Sequence, residues 1–423
     1  MLSRVSTSLP LLPAVWYISK YFNLPQGRVG SRAFMLLREF PKYGVQPVVV
    51  TAAFNHLGTD RELGGELLRE RVSEIDIIWL KLRKYKGARS LGRILSWLEF
   101  EWRLWRLSKN DLPPPSAIIV SSLSLLTIFN GLLLRRRFGC RLIFEVRDIW
   151  PLTIIEEGGF SPNNPFVAAL QWVEKLAYRK ADAIVGTMPN LIEHVSNLVR
   201  TTAPVSCIPM GVAPDLIEDH QPLPTAYVAK YIPKDKFIVC HAGTIGQTNA
   251  LDVFFEAAGL LKDEPIHFLL VGDGDLKASY QQAFQHLANV SFAPAVPKRQ
   301  VSSLLSYCDT TYFSTFRSKI WDYGLSLNKL IDYMLAAKPV IGSYSGYPSM
   351  INEAGCGSLV PAGDAAALQA ELLKMSRMPE ADRTVMGQKG REWILANRDY
   401  ALLARQYLGI ALPDIDREEA IME

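Results

Sequence analysis

The chain has 423 residues, of which 49% are hydrophobic and 21% are charged. This balance excludes a mainly disordered chain and predicts two or three globular domains of ordinary size. The 46 basic and 42 acidic residues leave a net charge of only +4, which excludes the strongly basic composition of a general nucleic-acid-binding protein.

Cysteine and histidine residues form no metal-binding or disulfide pattern. The five cysteines and six histidines are scattered, and neither a C-x-x-C nor an H-x-x-x-H pair occurs. We therefore expect reduced thiols, as in a cytosolic protein, and no metal held by the protein.

Two apolar segments bear on membrane targeting. Residues 1–20 contain a short apolar stretch broken by Pro10 and Pro13, and they predict no secretory signal. Residues 117–134 are uncharged and precede three arginines, so they are a candidate membrane-spanning helix. A buried strand that turns into a helix is the favoured alternative, because polar or small residues interrupt the segment: Ser121, Ser122, Ser124, Thr127, Asn130 and Gly131.

Short apolar runs alternate with amphipathic helical patterns along the chain. The strands predicted in the first half are 14–18, 47–51, 75–80, 117–121, 141–146, 183–187 and 205–209. The strands predicted in the second half are 237–241, 267–271, 290–292, 310–313, 339–342 and 358–360. The helices predicted between strands include 31–43, 251–262, 298–307, 328–337 and 364–375. This alternation predicts an α/β fold with parallel sheets covered on both faces.

The alternation restarts near residue 237, after a segment rich in Pro, Asp and Lys. We therefore expect two doubly wound, Rossmann-like domains at 1–214 and 237–400, joined by a linker at 215–236. Residues 401–423 are expected to form a C-terminal helix or tail that packs back toward the N-terminal domain. Because ligands bind at the carboxyl ends of strands in such sheets, both domains should line one cleft.

Three glycine-containing turns follow predicted strands. Their candidate binding residues are Gly27 and Gly30 in the first turn, Gly243, Thr244 and Gly246 in the second, and Gly272, Asp273 and Gly274 in the third. Glycine lets a backbone approach a ligand closely, and a helix N-terminus offers N–H groups to an anion such as a diphosphate. The pattern is not a Walker A loop, since no Gly-Lys-Ser/Thr follows. An ordinary strand–turn–helix connection also uses glycine, so each turn alone is a weak indication.

The stretch 324–342 combines a loop, a helix and the start of a strand. Leu330 and Met334 give the helix an apolar stripe. Asp332 lies about one turn into the helix, where its carboxylate can accept hydrogen bonds from a ribose diol. Lys329 and the N–H groups of the preceding loop can contact phosphates at the positive end of the helix. The alternative for Asp332 is a carboxylate that only caps or solvates the helix.

Several motifs occur in a characteristic order. They are Tyr21-Phe-Asn-Leu-Pro-Gln-Gly, Phe144-Glu-Val-Arg-Asp-Ile-Trp-Pro, Ile208-Pro-Met-Gly-Val, His241-Ala-Gly-Thr-Ile-Gly, Leu269-Leu-Val-Gly-Asp-Gly, Val296-Pro-Lys and Asn328-Lys-Leu-Ile-Asp-Tyr-Met. With these motifs, most of 14–410 resembles glycosyltransferase family 4, whose members are retaining, metal-independent enzymes of the GT-B fold that use nucleotide-sugar donors. The resemblance implies that the N-terminal domain handles the acceptor, which is often lipid-linked. It is strongest to bacterial enzymes of O-antigen and capsule assembly, including N-acetyl-L-fucosamine transferases.

The sequence departs from the family pattern on the donor side. The family's two glutamates, eight positions apart, fall on Gly324 and Asp332, so only Asp332 can inherit the role of holding the ribose. The basic pair often found on the donor phosphates is replaced by Thr244 and Asn249. The residues expected to complete the donor site are Arg317, Lys319, Gly324, Leu325, Ser326, Asn328 and Lys329.

In the N-terminal cleft, Arg147 stands where the family often has a histidine, and Asp148 follows it. The resemblance implies that the donor phosphate takes the acceptor's proton, so catalysis rests on positioning and on stabilising the departing diphosphate. We expect Arg147, Asp148 and Lys329 to serve the reaction, with Asp148 orienting the acceptor or the developing charge. A salt bridge from Asp148 to an arginine is the structural alternative.

Residues 81–109 contain nine Lys or Arg and two Glu, together with an apolar helical stripe. The stripe consists of Leu91, Leu95, Leu98, Trp102 and Trp105, with Trp97 and Phe100 beside it. A basic amphipathic helix with tryptophans is typical of binding to an anionic membrane surface. The alternatives are a stripe that packs on the sheet, and nucleic-acid binding, which the single basic block disfavours.

The sequence therefore predicts a retaining glycosyltransferase that moves a sugar from a nucleotide-sugar, with a UDP-sugar favoured, to a lipid-linked glycan acceptor. We expect it at the cytoplasmic face of the cell membrane. Two alternatives stay open: a UDP-sugar hexosamine epimerase of the same fold, and a catalytically degenerate nucleotide-sugar-binding scaffold, which the glycine at 324 motivates.

Overall fold

The computed structural model describes residues 12–25, 31–55, 58–85, 91–213, 217 and 221–414. Two separate sheets organise the described chain, one of eight strands and one of six, with a small two-stranded hairpin beside the first. The predicted α/β fold with two parallel-sheet domains is confirmed.

The N-terminal sheet has the strand order β10-β9-β8-β7-β1-β2-β6-β5. Its strands, with the hairpin β3–β4, are β1 (Ala14–Ile18), β2 (Gln46–Ala52), β3 (Phe54–Asn55), β4 (Thr59–Asp60), β5 (Leu67–Val72), β6 (Ile75–Leu80), β7 (Pro115–Ser121), β8 (Arg141–Val146), β9 (Ala183–Gly186) and β10 (Val205–Cys207). All neighbours in the sheet pair in parallel except β5 and β6, which are antiparallel.

The C-terminal sheet has the order β13-β12-β11-β14-β15-β16, and every pair in it is parallel. Its strands are β11 (Phe237–Ala242), β12 (Ile266–Val271), β13 (Val290–Ala293), β14 (Thr310–Ser314), β15 (Val340–Ser343) and β16 (Gly357–Val360). The carboxyl ends of all six strands therefore lie along one edge, where the predicted donor-site loops follow them.

The described α-helices, in chain order, are α1 (Arg32–Leu37), α2 (Leu91–Arg106), α3 (Thr127–Phe138), α4 (Leu152–Glu156), α5 (Pro165–Lys180), α6 (Leu191–Leu198), α7 (Thr225–Tyr231), α8 (Asp252–Leu260), α9 (Lys277–Phe284), α10 (Val301–Ser306), α11 (Asn328–Leu335), α12 (Met350–Ala354), α13 (Ala365–Arg377), α14 (Glu380–Asn397) and α15 (Tyr400–Ala411). Short 3₁₀ helices occur at Phe40–Tyr43, Ser122–Ser124, Gln247–Asn249, Lys298–Gln300 and Lys319–Tyr323.

Each sheet separates two apolar layers, which explains why its strands are apolar almost without interruption. In β1, Trp16 and Ile18 join one buried cluster, whereas Val15 and Tyr17 join the cluster on the opposite face. Successive side chains of a strand point to opposite faces, so a sheet covered on both sides needs apolar residues at every position.

Two predicted helices differ from the structure, and one strand was not predicted. The helix predicted at 31–43 is divided into α1 and the 3₁₀ helix Phe40–Tyr43, since Pro41 lacks a backbone N–H and Gly44 is left-handed at φ 67°. The helix predicted at 298–307 is a 3₁₀ turn followed by α10. Strand β5 was not predicted, because it is a largely exposed edge strand rich in charged residues.

The uncharged segment 117–134 is not one helix. It continues from β7 through the 3₁₀ turn Ser122–Ser124 into α3, so the predicted strand followed by a helix is confirmed. Across the described ranges, no helix combines the length and the apolar character that a membrane crossing requires.

The chain passes between the two sheets twice, and the two crossings meet. The backbone N–H of Val212 donates to Arg398 O at 2.7 Å, and the N–H of Tyr400 donates to Val212 O at 3.0 Å. Beyond this point, α15 packs on the N-terminal domain, where Tyr407 joins the buried cluster on one face of the sheet.

Candidate functional site

Two of the predicted glycine turns pack against each other at the carboxyl edge of the C-terminal sheet. The N–H of Gly243 donates to Val271 O at 2.9 Å, and the N–H of Ile245 donates to Asp273 O at 3.0 Å. A Cβ atom added at Gly272 would overlap Gly243 O, and one added at Gly274 would overlap Ile245 O. Contact between the two turns therefore requires glycine at 272 and 274. These glycines have a structural role in the turn, as the alternative to ligand binding supposes.

Lys329, near the start of α11, lies beside the turn 243–246. A Cβ atom added at Gly243 would lie 3.6 Å from Lys329 Nζ, and Lys329 Nζ donates to the amide oxygen of Asn249. Burial lowers the pKa of Lys329 to about 8. Burial and the nearby Lys329 charge lower the pKa of His241, so its ring is neutral. The structure thus brings Lys329 to the backbone turn that the sequence predicted for phosphates.

Thr244 and Gly246, the other two candidate residues of this turn, differ in their exposure to solvent. Thr244 is exposed, whereas Gly246 is buried, with a hypothetical Cβ atom 3.0 Å from Asp275 Oδ1. Helix α11 is fixed next to the turn by Tyr333, whose hydroxyl accepts from Ala242 N at 3.0 Å and donates to Ala242 O at 3.1 Å.

Asp332 forms a salt bridge with Lys298, which lies in the 3₁₀ helix after β13. Both side chains are partly exposed, at 23% and 36% of their area. The carboxylate of Asp332 is therefore ion-paired. The alternative interpretation, in which Asp332 only caps or solvates the helix, does not account for this salt bridge. Lys298 was not predicted as a site residue, although it ends the Val296-Pro297-Lys298 motif.

Gly324 adopts φ 109° and contacts Pro189 of the N-terminal domain. A Cβ atom at Gly324 would overlap Pro189 Cδ and Cγ, so a glutamate does not fit here unless Pro189 or the backbone of Gly324 shifts. The departure from the family pattern at this position has a structural reason, namely close contact between the two domains.

The loop after Gly324 lines a small cavity between the domains, of about 20 Å³. Leu325 and Ser326 face this cavity from the C-terminal domain, and Thr187 and Met210 face it from the N-terminal domain. Asn328 is the first residue of α11, and the side chain of the preceding Leu327 provides no cap.

In the described part of the chain, Arg317 and Lys319 form no hydrogen bond or salt bridge with the turn 243–246. Arg317 Nε donates to Ala362 O at 3.3 Å, after β16. The backbone N–H of Lys319 donates to Glu156 Oε2 at 3.2 Å, and Ser318 Oγ donates to the same oxygen at 3.0 Å. Glu156 belongs to α4, so this segment connects the two domains, and sequence patterns did not identify Glu156.

Arg147 and Asp148 follow β8 at the carboxyl edge of the N-terminal sheet. Ser122 Oγ accepts from Arg147 N at 3.0 Å and donates to Asp148 O at 3.1 Å. Burial raises the pKa of Asp148, while the charges of Arg147 and Arg93 oppose the rise. The alternative role for Asp148 was a salt bridge to an arginine. Within the described ranges, Asp148 forms no such salt bridge.

The first predicted turn is only partly described. Gly27 and Gly30 lie outside the described residues. Ser31, directly after them, caps α1 by accepting from Phe34 N, and Ser31 Oγ donates to Asn23 O at 2.8 Å.

The apolar residues of helix α2 lie on two different faces, one buried and one exposed. Trp97 and Phe100 are buried, whereas the stripe residues are exposed, with Leu95 at 49%, Leu98 at 53%, Trp102 at 51% and Trp105 at 63%. The interpretation in which the stripe packs on the sheet is therefore wrong for these four residues; the side chain of Leu91 is not described.

The exposed apolar surface continues on the neighbouring helices. Phe129 and Leu133 of α3 and Trp172 of α5 are exposed, and the rings of Phe129 and Trp172 stack with centroids 6.1 Å apart. The guanidinium of Arg106 lies 5.1 Å from the Trp102 ring centroid. Other basic residues on α2 and in the segment before it form ion pairs. For example, Arg103 of α2 and Arg83, which precedes the helix, both pair with Glu99.

Among the residues that the structure describes, no group of three or more His, Cys, Asp or Glu side chains is arranged to hold a metal ion. The five cysteines are free thiols: Cys140, Cys207, Cys240, Cys308 and Cys356.

Two family models match the chain. The one described as "Glycosyl transferases group 1" matches residues 236–377, and the one described as "Glycosyl transferase 4-like domain" matches residues 29–211. The colanic acid biosynthesis glycosyl transferase WcaI of Escherichia coli (strain K12), as that protein is described, is 35% identical over 80 residues. This alignment covers 18% of the chain and only 20% of the relative's length.

Solved structures resemble the whole chain. Sucrose-phosphate synthase from Thermosynechococcus elongatus matches with a TM-score of 0.67 and 16% identity, over 97% of this chain and 100% of that one. The E. coli trehalose-6-phosphate structure bound with UDP-2-fluoro glucose matches with a TM-score of 0.72 and 14% identity, over 94% and 99% of the two chains. At these identities the likeness establishes a shared fold.

Proposed function

Because the chain belongs to the family-4 type of GT-B glycosyltransferases, we propose that it is a retaining hexosyltransferase that uses a UDP-sugar donor and a lipid-linked glycan acceptor. Its place would be the assembly of a bacterial surface polysaccharide, and the WcaI relative is named for such a process.

The observation that carries the donor assignment is the half-buried Lys329 beside the turn 243–246. Its side chain donates to the neutral amide of Asn249, and within the described ranges no carboxylate forms an ion pair with it. A diphosphate at this turn would meet an uncompensated cation in a site of low dielectric constant, where such a contact is strong.

Asp332 and Lys298 extend the proposed donor site along α11. Asp332 follows Lys329 by three positions, which is almost one helical turn, so the two side chains lie on neighbouring parts of one face. In our proposal the Asp332 carboxylate accepts hydrogen bonds from the ribose hydroxyls, and the salt bridge to Lys298 orients that carboxylate.

The proposed reaction needs little proton transfer by side chains. Positive charge develops at the anomeric carbon and negative charge on the leaving diphosphate, which takes the proton of the acceptor hydroxyl. Lys329 stabilises the leaving group, and Arg147 and Asp148 position the acceptor on the other side of the cleft. No metal or other cofactor is assigned a role in this scheme.

UDP is the proposed leaving group, and a structure of the same fold bound with UDP-2-fluoro glucose supports it. For the acceptor, support comes from the exposed face of α2, whose four apolar residues point away from the sheet. An exposed stripe with tryptophans and adjacent arginines is suited to the headgroup layer of an anionic bilayer. We therefore place the protein at the cytoplasmic membrane face, with no nucleic-acid partner.

A thermal-shift panel with saturating UDP, GDP, ADP, dTDP and CMP tests the donor. We expect UDP alone to stabilise the protein, by about 2.7 kcal/mol at 100 times its Kd, which is a shift of several degrees. Lys329→Met should lose most of the shift, and Lys338→Met, which removes a partly exposed lysine just after α11, should keep it. A response to GDP alone would overturn the donor, and no response would favour the scaffold.

Turnover then separates the remaining enzyme classes. With a UDP-sugar and no acceptor, a transferase leaves the stereochemistry of the sugar unchanged, whereas an epimerase inverts a ring carbon. With a lipid-linked acceptor, NMR of the product should show the anomeric configuration of the donor; inversion would contradict the retaining mechanism.

A further inference from the structure

One 3₁₀ helix of the C-terminal domain, Lys319–Tyr323, is held at its start by the N-terminal domain. The carboxylate of Glu156, the last residue of α4, accepts from Ser318 Oγ at 3.0 Å and from the backbone N–H of Lys319 at 3.2 Å. Ser318 also caps the helix, because its Oγ accepts from the N–H of Ile320 at 3.2 Å. A helix start leaves N–H groups without partners inside the helix, and here a carboxylate of the other domain accepts from one of them.

The same helix is held at its end by Asn190, which directly precedes α6. The backbone N–H of Asn190 donates to Tyr323 O at 3.0 Å, and its side-chain Nδ2 donates to Asp322 O at 3.1 Å. The Tyr323 ring packs edge to face on the His194 ring of α6, with centroids 4.9 Å apart. Backbone groups at both ends of this short helix therefore bond to the opposite domain. We call Glu156, Asn190 and the helix between them the interdomain clasp.

The interdomain clasp connects the segments that we propose for the two substrates. On one side, Asp148 lies shortly before α4, and Glu156 is the last residue of that helix. On the other side, the 3₁₀ helix is followed by Gly324 and by the loop into α11, which carries Lys329. A change in the position of α4 relative to the 3₁₀ helix would therefore alter the separation of the two substrate segments.

The clasp is a second region of contact between the domains. They also meet where the chain crosses between them, at the hydrogen bond from Val212 N to Arg398 O. Two bodies joined at one region can rotate about it, as hinged domains do, and a second region fixes one orientation. The donor site does not need the clasp for its assembly, because Tyr333 fixes α11 to Ala242 within the C-terminal domain.

We propose that Glu156 and Asn190 are positioning residues for the transfer: through the interdomain clasp they hold α4, and with it Asp148, at a fixed distance from Lys329. Neither positioning residue touches a substrate in this role. The role of the clasp in transfer rests on the proposed function, whereas its hydrogen bonds do not. A misplacement of about 1 Å between two reactants can lower the rate of their reaction about a hundredfold, so a fixed orientation of the domains favours turnover.

Hydrogen exchange at one end of the clasp, after mutation at the other end, tests whether the two ends act together. In Glu156→Ala the backbone amide of Asn190 should exchange at least tenfold faster than in the wild type, because its bond to Tyr323 O opens more often. The amide of Gly243, which donates to Val271 O inside the C-terminal domain, should keep its rate. Mass spectrometry with fragmentation to single residues measures both amides. An unchanged rate at Asn190 would overturn the proposal.

Two further variants separate the clasp from a general loss of stability. Glu156→Gln should exchange like the wild type, because a glutamine Oε1 can accept the same two hydrogen bonds; exchange as fast as in Glu156→Ala would overturn the role of these bonds. Glu371→Ala removes a carboxylate that pairs with Lys374 on the same helix, α13. It should leave the Asn190 amide unchanged, and faster exchange there would overturn the assignment of that amide to the clasp.

Calorimetric titration with UDP distinguishes the clasp from the donor site. The affinity of Glu156→Ala for UDP should stay within twofold of the wild type, because the turn 243–246 and Lys329 belong to one domain. A loss of more than tenfold would place Glu156 in the donor site and overturn its positioning role. In the transfer assay with a UDP-sugar and a lipid-linked acceptor, kcat should fall at least tenfold with the KM for the UDP-sugar unchanged. An unchanged kcat would also overturn that role.

The two proposals fail separately. If the wild type does not bind UDP but Glu156→Ala accelerates exchange at Asn190, the donor assignment is wrong and the clasp stands. If UDP binds and the exchange at Asn190 does not change, the donor assignment stands and the clasp is wrong.

Discussion

Gly324 of the C-terminal domain lies directly against Pro189 of the N-terminal domain, with no space for a side chain between them. Gly324 precedes the loop that leads into α11, and it occupies the position at which the family resemblance predicts a glutamate. The backbone of Gly324 is at φ 109°, a region that residues with a Cβ atom rarely adopt. Both the conformation and the domain contact therefore select glycine.

Gly324→Ala should lower the free energy of unfolding by about 2 to 4 kcal/mol, because it adds a steric overlap to an unfavourable backbone conformation. Gly355→Ala is the matched control: Gly355 is left-handed at φ 59° but has no atom within 4 Å of an added Cβ, so it should lose only about 1 kcal/mol. Urea denaturation measures both values, and equal losses would show that the Pro189 contact is not tight.

Asp332→Ala should weaken UDP binding about tenfold or more if its carboxylate holds the ribose diol. The wild type should prefer UDP to 2′,3′-dideoxy-UDP, and the variant should bind the two equally. Titration calorimetry measures the four affinities. A variant that still discriminates between the two nucleotides would remove Asp332 from the ribose site.

The double variant Trp102→Ser, Trp105→Ser should reduce binding to vesicles of anionic phosphatidylglycerol at least tenfold. Burial of a large apolar side chain contributes about 1.5 kcal/mol or more, and these two side chains are exposed in the protein. Leu260→Ser, Val385→Ser removes two equally exposed apolar residues from the other domain and should not change binding. Co-sedimentation measures the bound fraction; wild-type protein that stays in solution would contradict the membrane proposal.

Glu101 should make stability depend on pH. Its carboxylate accepts from Thr127 Oγ1 and Asn130 Nδ2, both at 2.7 Å, yet burial raises its pKa from 4.5 to about 7. The folded protein then binds more protons than the unfolded chain between these values, so the free energy of unfolding falls as pH rises from 4.5 through about 7.

The ionised Glu101 should cost up to about 3 kcal/mol, since each tenfold change in proton affinity is worth about 1.4 kcal/mol. Urea denaturation at pH 5 and pH 8 should show a smaller difference for Glu101→Gln than for the wild type. Glu256→Gln, at an exposed position on α8, should leave the difference unchanged. An unchanged difference in Glu101→Gln would mean that another group causes the pH dependence.

The alternation of apolar strands and amphipathic helices was sufficient to predict most of both sheets, because strands buried on two faces are apolar at every position. Strand β5 escaped prediction, since an exposed edge strand such as Leu67–Val72 has no continuous apolar run. The predicted donor residues near Lys329 were likewise visible in the sequence, because glycine turns and a following helix are local patterns.

Side-chain partners across the fold were decided only by the tertiary structure. Lys298 and Asp332 are 34 positions apart, and Ser318 reaches Glu156 in the other domain, so no local pattern pairs them. The sequence predicted that α2 is amphipathic, but which of its apolar residues face solvent depended on how the helix is rotated against the sheet. That rotation follows from Phe100 and Leu104 entering the core, and it leaves Trp102 and Trp105 exposed.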